Sequence, residues 1–162
     1  MMKDLKDLLQ HMLKDLWSAE DQMLEAYEKM AQRADSNKLK QYFEDHIEET
    51  KKHKETVENI CDEMGIKHTG EKCHGMAGLV EEALGFLKED NMDKDVLDAG
   101  MIAQAQRLEH YEITGYGTAR RFAEELKLTS VEEKLKGILD AEHNQDDVLT
   151  ELAESRLNQQ AK

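Results

Sequence analysis

The sequence contains no proline and few aromatic residues, and both absences bear on the fold. Only 5% of its 162 residues are Phe, Trp or Tyr. Proline interrupts helices, and aromatic residues are enriched in strands. A proline-free chain rich in Leu, Glu, Lys, Ala, Met and Gln therefore favours long helices over a sheet. We predict an all-α protein that forms a single domain over residues 1–162.

Long apolar runs are also missing, and charge of one sign dominates. No apolar stretch reaches the length of a signal or membrane segment. The chain has 36 acidic and 22 basic residues, a net charge of −14 that repels nucleic acid and anionic lipid. We expect a cytoplasmic protein with no nucleic-acid partner and no membrane partner. Its two cysteines, Cys61 and Cys73, are expected to be free thiols in that reducing compartment.

Apolar residues recur every three or four positions over four long stretches, which is the period of a helix with one buried face. The predicted helices cover residues 3–34, the stretch from the break at 35–37 to 64, about 76–89, about 93–127, and 129 to about 158. Gly65 is a predicted C-cap, and Thr129 and Ser130 with Glu132 and Glu133 form a predicted capping box. The short third helix is expected to cross between two long hairpins.

Carboxylates interrupt the apolar stripe of the helix over 93–127. The stripe predicted to face the core comprises Val96, Ala99, Ile102, Gln106, Glu109, Glu112, Tyr116, Ala119 and Ala123. An unpaired carboxylate removed from water costs several kcal/mol or becomes protonated. Glu109 and Glu112 must therefore be protonated, face a base, or bind a cation.

The buried carboxylates fall at matched depths in the two hairpins. Glu20 lies 15 residues before Asp35 and Glu49 lies 14 after it. Glu112 and Glu142 each lie 15 residues from the second turn at Lys127. Since each helical residue rises about 1.5 Å, both pairs are expected to be level, a pattern typical of an internal duplication.

The carboxylates of such a cluster would repel one another, and the stripe offers imidazoles but neither Lys nor Arg to neutralise them. Bound divalent cations would remove this repulsion. A hard, oxygen-rich donor set suits two Fe or Mn ions. The predicted metal ligands are Glu20, His46, Glu49, His53, Glu109, Glu112 and Glu142, with Asp146 as a further candidate. The usual Glu-x-x-His spacing is absent, since Lys52 and Gln145 occupy the histidine positions. His46 and His53 are each expected either to ligate or to support a ligand from the core.

Several segments together resemble the YciE/YciF family of ferritin-like bacterial stress proteins. They are WSAE (17–20), HIEET (46–50), KCHGM (72–76), EHYEI (109–113) with YGT (116–118), and DAEH (140–143). The resemblance implies a ferritin-like antiparallel four-helix bundle with an additional short crossover helix, a homodimer and a dinuclear metal site. It points to Glu20, His46, Glu49, Glu109, Glu112 and Glu142, whereas His53 replaces the glutamine expected in relatives.

Two kinds of function are compatible with these features. The first is a stress-response protein whose two metal ions reduce peroxide or dioxygen, as a peroxidase, catalase or ferroxidase that draws on an unidentified electron donor. The second is a non-enzymatic structural or binding protein with a vestigial metal site. In the second case, the apolar face of the short helix, from Leu79 to Leu87, would meet a partner.

Overall fold

The structure is a computed structural model that describes residues 2–162, apart from the side chains at positions 156 and 157. The chain forms α1 (Leu5–Arg33), α2 (Asn37–Glu63), α3 (His74–Phe86), α4 (Lys94–Glu125) and α5 (Thr129–Leu152), then a π-helical turn (Ala153–Leu157) and the short α6 (Asn158–Gln160). Over residues 2–162 there is no β-strand, which confirms the predicted all-α class.

The four long helices form an antiparallel bundle of two hairpins. Helix α1 pairs with α2 and α4 with α5, while α1 also packs against α4 and α2 against α5. Helix α2 ends at one end of the bundle, and α4 begins at the other end. The connection between them, which contains α3, therefore runs along the length of the bundle. Helix α3 lies against α1 and α4. This is the predicted ferritin-like bundle with a short crossover helix.

Polar side chains and glycine define several helix ends, including the predicted end of α2 at Gly65. Asp4 accepts a hydrogen bond from the Asp7 amide at 2.8 Å and caps α1. Ser36 accepts from the Leu39 amide at 3.4 Å and caps α2. Gly65 follows α2 with φ of +69°, a left-handed conformation that favours glycine.

The predicted capping box of α5 is wrong. Leu128 occupies the N-cap position and makes no side-chain cap hydrogen bond. Thr129 and Ser130 already lie in the first helical turn, and the Ser130 hydroxyl donates to Glu63 at 3.1 Å. Glu132 pairs with Arg120 at 2.6 Å instead of reaching back to the helix start.

The buried face of α4 also differs from the predicted stripe in its first half. Val96 is 41% exposed, whereas Leu97, Met101 and Ala105 are buried. These three residues belong to an apolar cluster that includes residues of α3. Because α3 covers a second side of α4, contacts with α3 as well as with the other bundle helices determine which residues are buried in the first half of α4.

The bundle interior contains two apolar clusters, one on each side of a layer of buried glutamates. One cluster includes Met23, Met30 and the inner face of α3, and the other includes Leu9, Leu13 and Leu135. Cys61 and Cys73 are buried free thiols, as predicted. Among the described residues, no helix combines the length and apolar character that crossing a membrane requires.

Candidate metal centre

Six of the seven predicted ligands lie inside the bundle. Helix α1 supplies Glu20, α2 supplies His46 and His53, α4 supplies Glu109 and Glu112, and α5 supplies Glu142. Five of these residues are fully inaccessible to water, and His53 is 6% exposed. The helical period of each segment places these polar residues on the face that otherwise carries the apolar core.

The six residues form two overlapping groups. His46, Glu109, Glu112 and Glu142 each offer one donor atom such that all four atoms lie within 4.8 Å of one another. Glu20, His53 and Glu142 form a second group by the same measure. Glu142 is shared, so the two groups are adjacent. We refer to the six residues together as the buried cluster.

No lysine or arginine whose side chain the structure describes neutralises these glutamates. Among the described side chains, the only basic groups within 4.0 Å of the four carboxylates are imidazoles. His46 Nε2 lies 3.2 Å from Glu109 Oε1, and His53 Nδ1 lies 2.7 Å from Glu142 Oε1. Both contacts are close in distance, but neither is aligned as a hydrogen bond.

Burial shifts the protonation of the whole cluster towards neutral groups. Desolvation raises the pKa of Glu109 to about 8 and the pKa of Glu20 in the same direction. It also raises the pKa of Glu112 and Glu142 well above the ordinary range, helped by repulsion among the carboxylates. Desolvation lowers the pKa of His53 to about 4. In the absence of a cation, the histidine–glutamate contacts are therefore contacts between neutral groups and not ion pairs.

Many oxygen and nitrogen atoms of the buried cluster that could bind a metal ion have no hydrogen-bond partner. Both carboxyl oxygens of Glu112 and of Glu142 are unsatisfied, as are both ring nitrogens of His46. Leaving a buried polar group unsatisfied costs about 1–3 kcal/mol. Oxygen and imidazole donors that converge without partners are the donor set that Fe and Mn ions accept, so the residues present fit such ions.

Three tyrosines contact the cluster, of which Tyr27 and Tyr116 were expected only as core residues and Tyr42 was not singled out. The Tyr27 hydroxyl donates to Glu109 Oε1, and the Tyr116 hydroxyl donates to Glu20 Oε1. The Tyr42 hydroxyl lies 3.4 Å from Glu109 Oε1. A signal was available, because Tyr27 follows Glu20 by seven residues and Tyr116 follows Glu109 by seven. On antiparallel helices this repeated spacing brings each phenol level with the glutamate of the other helix.

Two predicted candidates are not brought into the cluster. Glu49 is 32% exposed, accepts a hydrogen bond from Gln145, and lies with Oε2 3.9 Å from His46 Nδ1. Asp146 instead accepts from Gln106 at 3.1 Å and lies 3.1 Å from His110 Nε2. Glu49 is therefore at the edge of the cluster, and Asp146 is outside it.

Comparisons with known proteins agree with this architecture. The family model described as "Domain of unknown function (DUF892)" matches residues 4–162. Protein YciF of Escherichia coli (strain K12) is 38% identical over 161 residues, which are 99% of this chain and 96% of YciF.

Solved structures extend the comparison. The crystal structure of the E. coli stress protein YciF matches with a TM-score of 0.92 and 38% identity, covering 97% of this chain and 99% of that one. YcfI, a candidate structural protein from Rhodopseudomonas palustris, matches with a TM-score of 0.86 and 36% identity, covering 91% and 94%. A Xanthomonas campestris protein at 21% identity and a TM-score of 0.75, covering 94% and 93%, shares the fold.

Proposed function

The chain belongs to the DUF892 family, and from its buried cluster we propose that it is a stress-response protein that holds two Fe or Mn ions and reduces peroxide or dioxygen. The observation that carries the proposal is the set of four buried glutamates that face two histidines and no lysine or arginine among the described side chains. The stress role is proposed by homology with YciF, which is described as a stress protein.

The two overlapping groups suggest two metal positions. His46, Glu109 and Glu112 would hold one ion, and Glu20 and His53 would hold the other, with Glu142 available to both. When bound, such ions supply Lewis-acid and one-electron chemistry towards a small oxidant.

The chain itself orients the ligands and excludes water from them. The phenol bonds from Tyr27 and Tyr116 fix one oxygen of Glu109 and of Glu20, and leave Oε2 of each carboxyl group unpartnered. Such outer partners set ligand orientation and basicity. The apolar clusters above and below the glutamate layer leave no bulk water beside these groups, which strengthens every electrostatic interaction in the site.

Three reaction types fit this site and differ in their source of electrons. A peroxidase takes two electrons from an external donor, a catalase takes them from a second peroxide, and a ferroxidase takes them from Fe²⁺. Oxygen evolution from peroxide without added reductant would identify the catalase reaction.

Metal content after reconstitution tests the proposal. Protein loaded anaerobically with Fe²⁺ or with Mn²⁺ and then desalted should retain close to two ions per chain by mass spectrometry. Glu142→Gln should lose most of this metal, whereas Glu151→Gln, an exposed substitution on the same helix, should retain it. Less than one ion per wild-type chain would refute the proposal.

The second candidate is a structural or binding protein with a vestigial site. The raised pKa of Glu109 and of Glu112 favours it, since buried glutamates that hold their protons persist without a cation. The description of YcfI as a candidate structural protein agrees with it. Failure to retain metal, together with unchanged thermal stability on addition of Fe²⁺ or Mn²⁺, would support this function. The homodimer expected from the resemblance belongs to both proposals and is tested by light scattering.

A further inference from the structure

A groove between α2 and α5 approaches the buried cluster from the surface. Its volume is about 390 Å³. It is lined by Lys38, Gln41, Tyr42, Asp45, Asn144, Gln145, Val148 and Leu152. The groove is open to water, and its lining includes Tyr42, which also contacts the cluster.

One layer of side chains separates this groove from the cluster. The Tyr42 ring stacks on the His46 ring with centroids 5.7 Å apart, and its hydroxyl faces Glu109. Beside Tyr42, Gln145 donates a hydrogen bond to Glu49 Oε2, and the same oxygen lies 3.9 Å from His46 Nδ1. That nitrogen is buried and has no hydrogen-bond partner. The Gln145–Glu49 bond thus lies between the groove and the Nδ1 side of His46, whose Nε2 faces Glu109.

The groove on the other side of the bundle, between α1 and α4, is closed at its base. It has a volume of about 290 Å³ and is lined in part by Leu16, Gly115 and Thr118. The buried Leu16 side chain packs so tightly on Gly115 that an added Cβ would lie 2.7 Å from Leu16 Cδ2. Apolar packing therefore seals this groove, whereas polar side chains close the groove between α2 and α5.

We propose that divalent cations reach the buried cluster through the groove between α2 and α5, with Glu49 as the carrier and its hydrogen bond to Gln145 as the gate. When that bond breaks, Glu49 Oε2, which already lies beside His46, is free to bind a cation and pass it inward. This inference rests on the proposed function, because it concerns filling of the same site.

The chemistry of the groove suits a cation more than an anion. Asp45 carries a carboxylate at the rim and accepts a hydrogen bond from Gln41 at 2.9 Å. Asn144 and Gln145 add amide oxygens, which hard cations accept as ligands. Lys38 is the one basic residue of the lining within the described part of the chain, and the net charge of −14 outweighs it at long range.

The rate of Co²⁺ uptake tests the route separately from the capacity of the site. Co²⁺ is a spectroscopic substitute for Fe²⁺ and Mn²⁺, and its visible absorption changes when protein ligands replace water. Stopped-flow absorbance would give the uptake rate, and metal analysis after desalting would give the amount bound. Gln145→Ala removes the gate, while Thr118→Ala makes a matched change in the closed groove.

We expect Gln145→Ala to take up Co²⁺ about tenfold faster than the wild type, because a hydrogen bond to a charged group holds the closed state by about that factor. Thr118→Ala should match the wild-type rate. Glu49→Gln should slow uptake and leave the final amount of Co²⁺ unchanged.

Different results would overturn different claims. An unchanged rate in Gln145→Ala, with normal final Co²⁺ content, would overturn the gate and leave the proposed function intact. A matching loss of bound Co²⁺ in Glu49→Gln would make Glu49 a resident ligand and overturn its role as carrier. A wild-type chain that binds no Co²⁺, Fe²⁺ or Mn²⁺ at equilibrium would overturn the proposed function itself.

Discussion

Raising the pH should destabilise the metal-free protein across a range where most proteins change little. The pKa of Glu109 is raised to about 8 in the folded state from 4.5, because burial penalises its charged form. A raised pKa means that the folded state holds a proton that the unfolded chain has released. The stability from this group is complete below pH 4.5 and is lost as the pH rises through 8.

The size of the loss follows from proton linkage. Between pH 7 and 8.5, Glu109 alone should lower the free energy of unfolding by about 1 kcal/mol, at 1.36 kcal/mol per unit for each bound proton. Burial also raises the pKa values of Glu112 and Glu142 well above the ordinary range, so these groups act in the same direction. The histidines oppose this trend only below about pH 7, because the lowered pKa of His46 and of His53 keeps both neutral in the folded state.

Chemical unfolding of chelator-treated protein at pH 7 and pH 8.5 provides the measurement. Glu109→Gln is the internal control, since it removes one titrating group and should show a smaller dependence on pH. Mn²⁺ should reverse the trend, because metal binds the deprotonated ligands and its affinity rises with pH. A free energy of unfolding that is constant or rises between pH 7 and 8.5 without metal would refute the proposed protonation of the cluster.

Four further substitutions test hydrogen bonds and packing within the bundle. Tyr27→Phe and Tyr116→Phe should each weaken Mn²⁺ binding by about 10–100-fold in an equilibrium titration, because they remove the outer hydrogen bond of a ligand. Gly115→Ala should be less stable than Gly137→Ala by about 1–3 kcal/mol in urea, since only the first creates a clash. Asp98→Ala should cost about 1–3 kcal/mol by the same assay, because the buried Asp98 carboxylate accepts from two amides at the start of α2. Unchanged values would contradict each account in turn.

Helix period and chain counting account for most of what could be predicted. The five helices, the crossover and the common depth of Glu20, Glu112 and Glu142 follow from repeating patterns that a single sequence carries. Counting from the turns predicts height along a helix. It does not predict rotation about the helix axis, and for that reason Glu49 was expected at the cluster centre and lies at its edge.

The features that were missed depend on contacts between distant segments. The exposed position of Val96 results from α3 covering a second side of α4, which no local pattern in α4 reveals. The first turn of α5 is a similar case, because Glu132 forms an ion pair with Arg120 of the preceding helix and does not form a capping box. In both cases tertiary contacts override a local preference.

The crossed phenol bonds of α1 and α4 have a mechanical consequence. Since Tyr27 reaches Glu109 while Tyr116 reaches Glu20, sliding one helix along the other by a single turn of 5.4 Å would break both bonds at once. The two tyrosine hydrogen bonds therefore fix the axial alignment of the two helices. A bundle that assembled with the two helices misaligned would bury two phenol groups without hydrogen-bond partners.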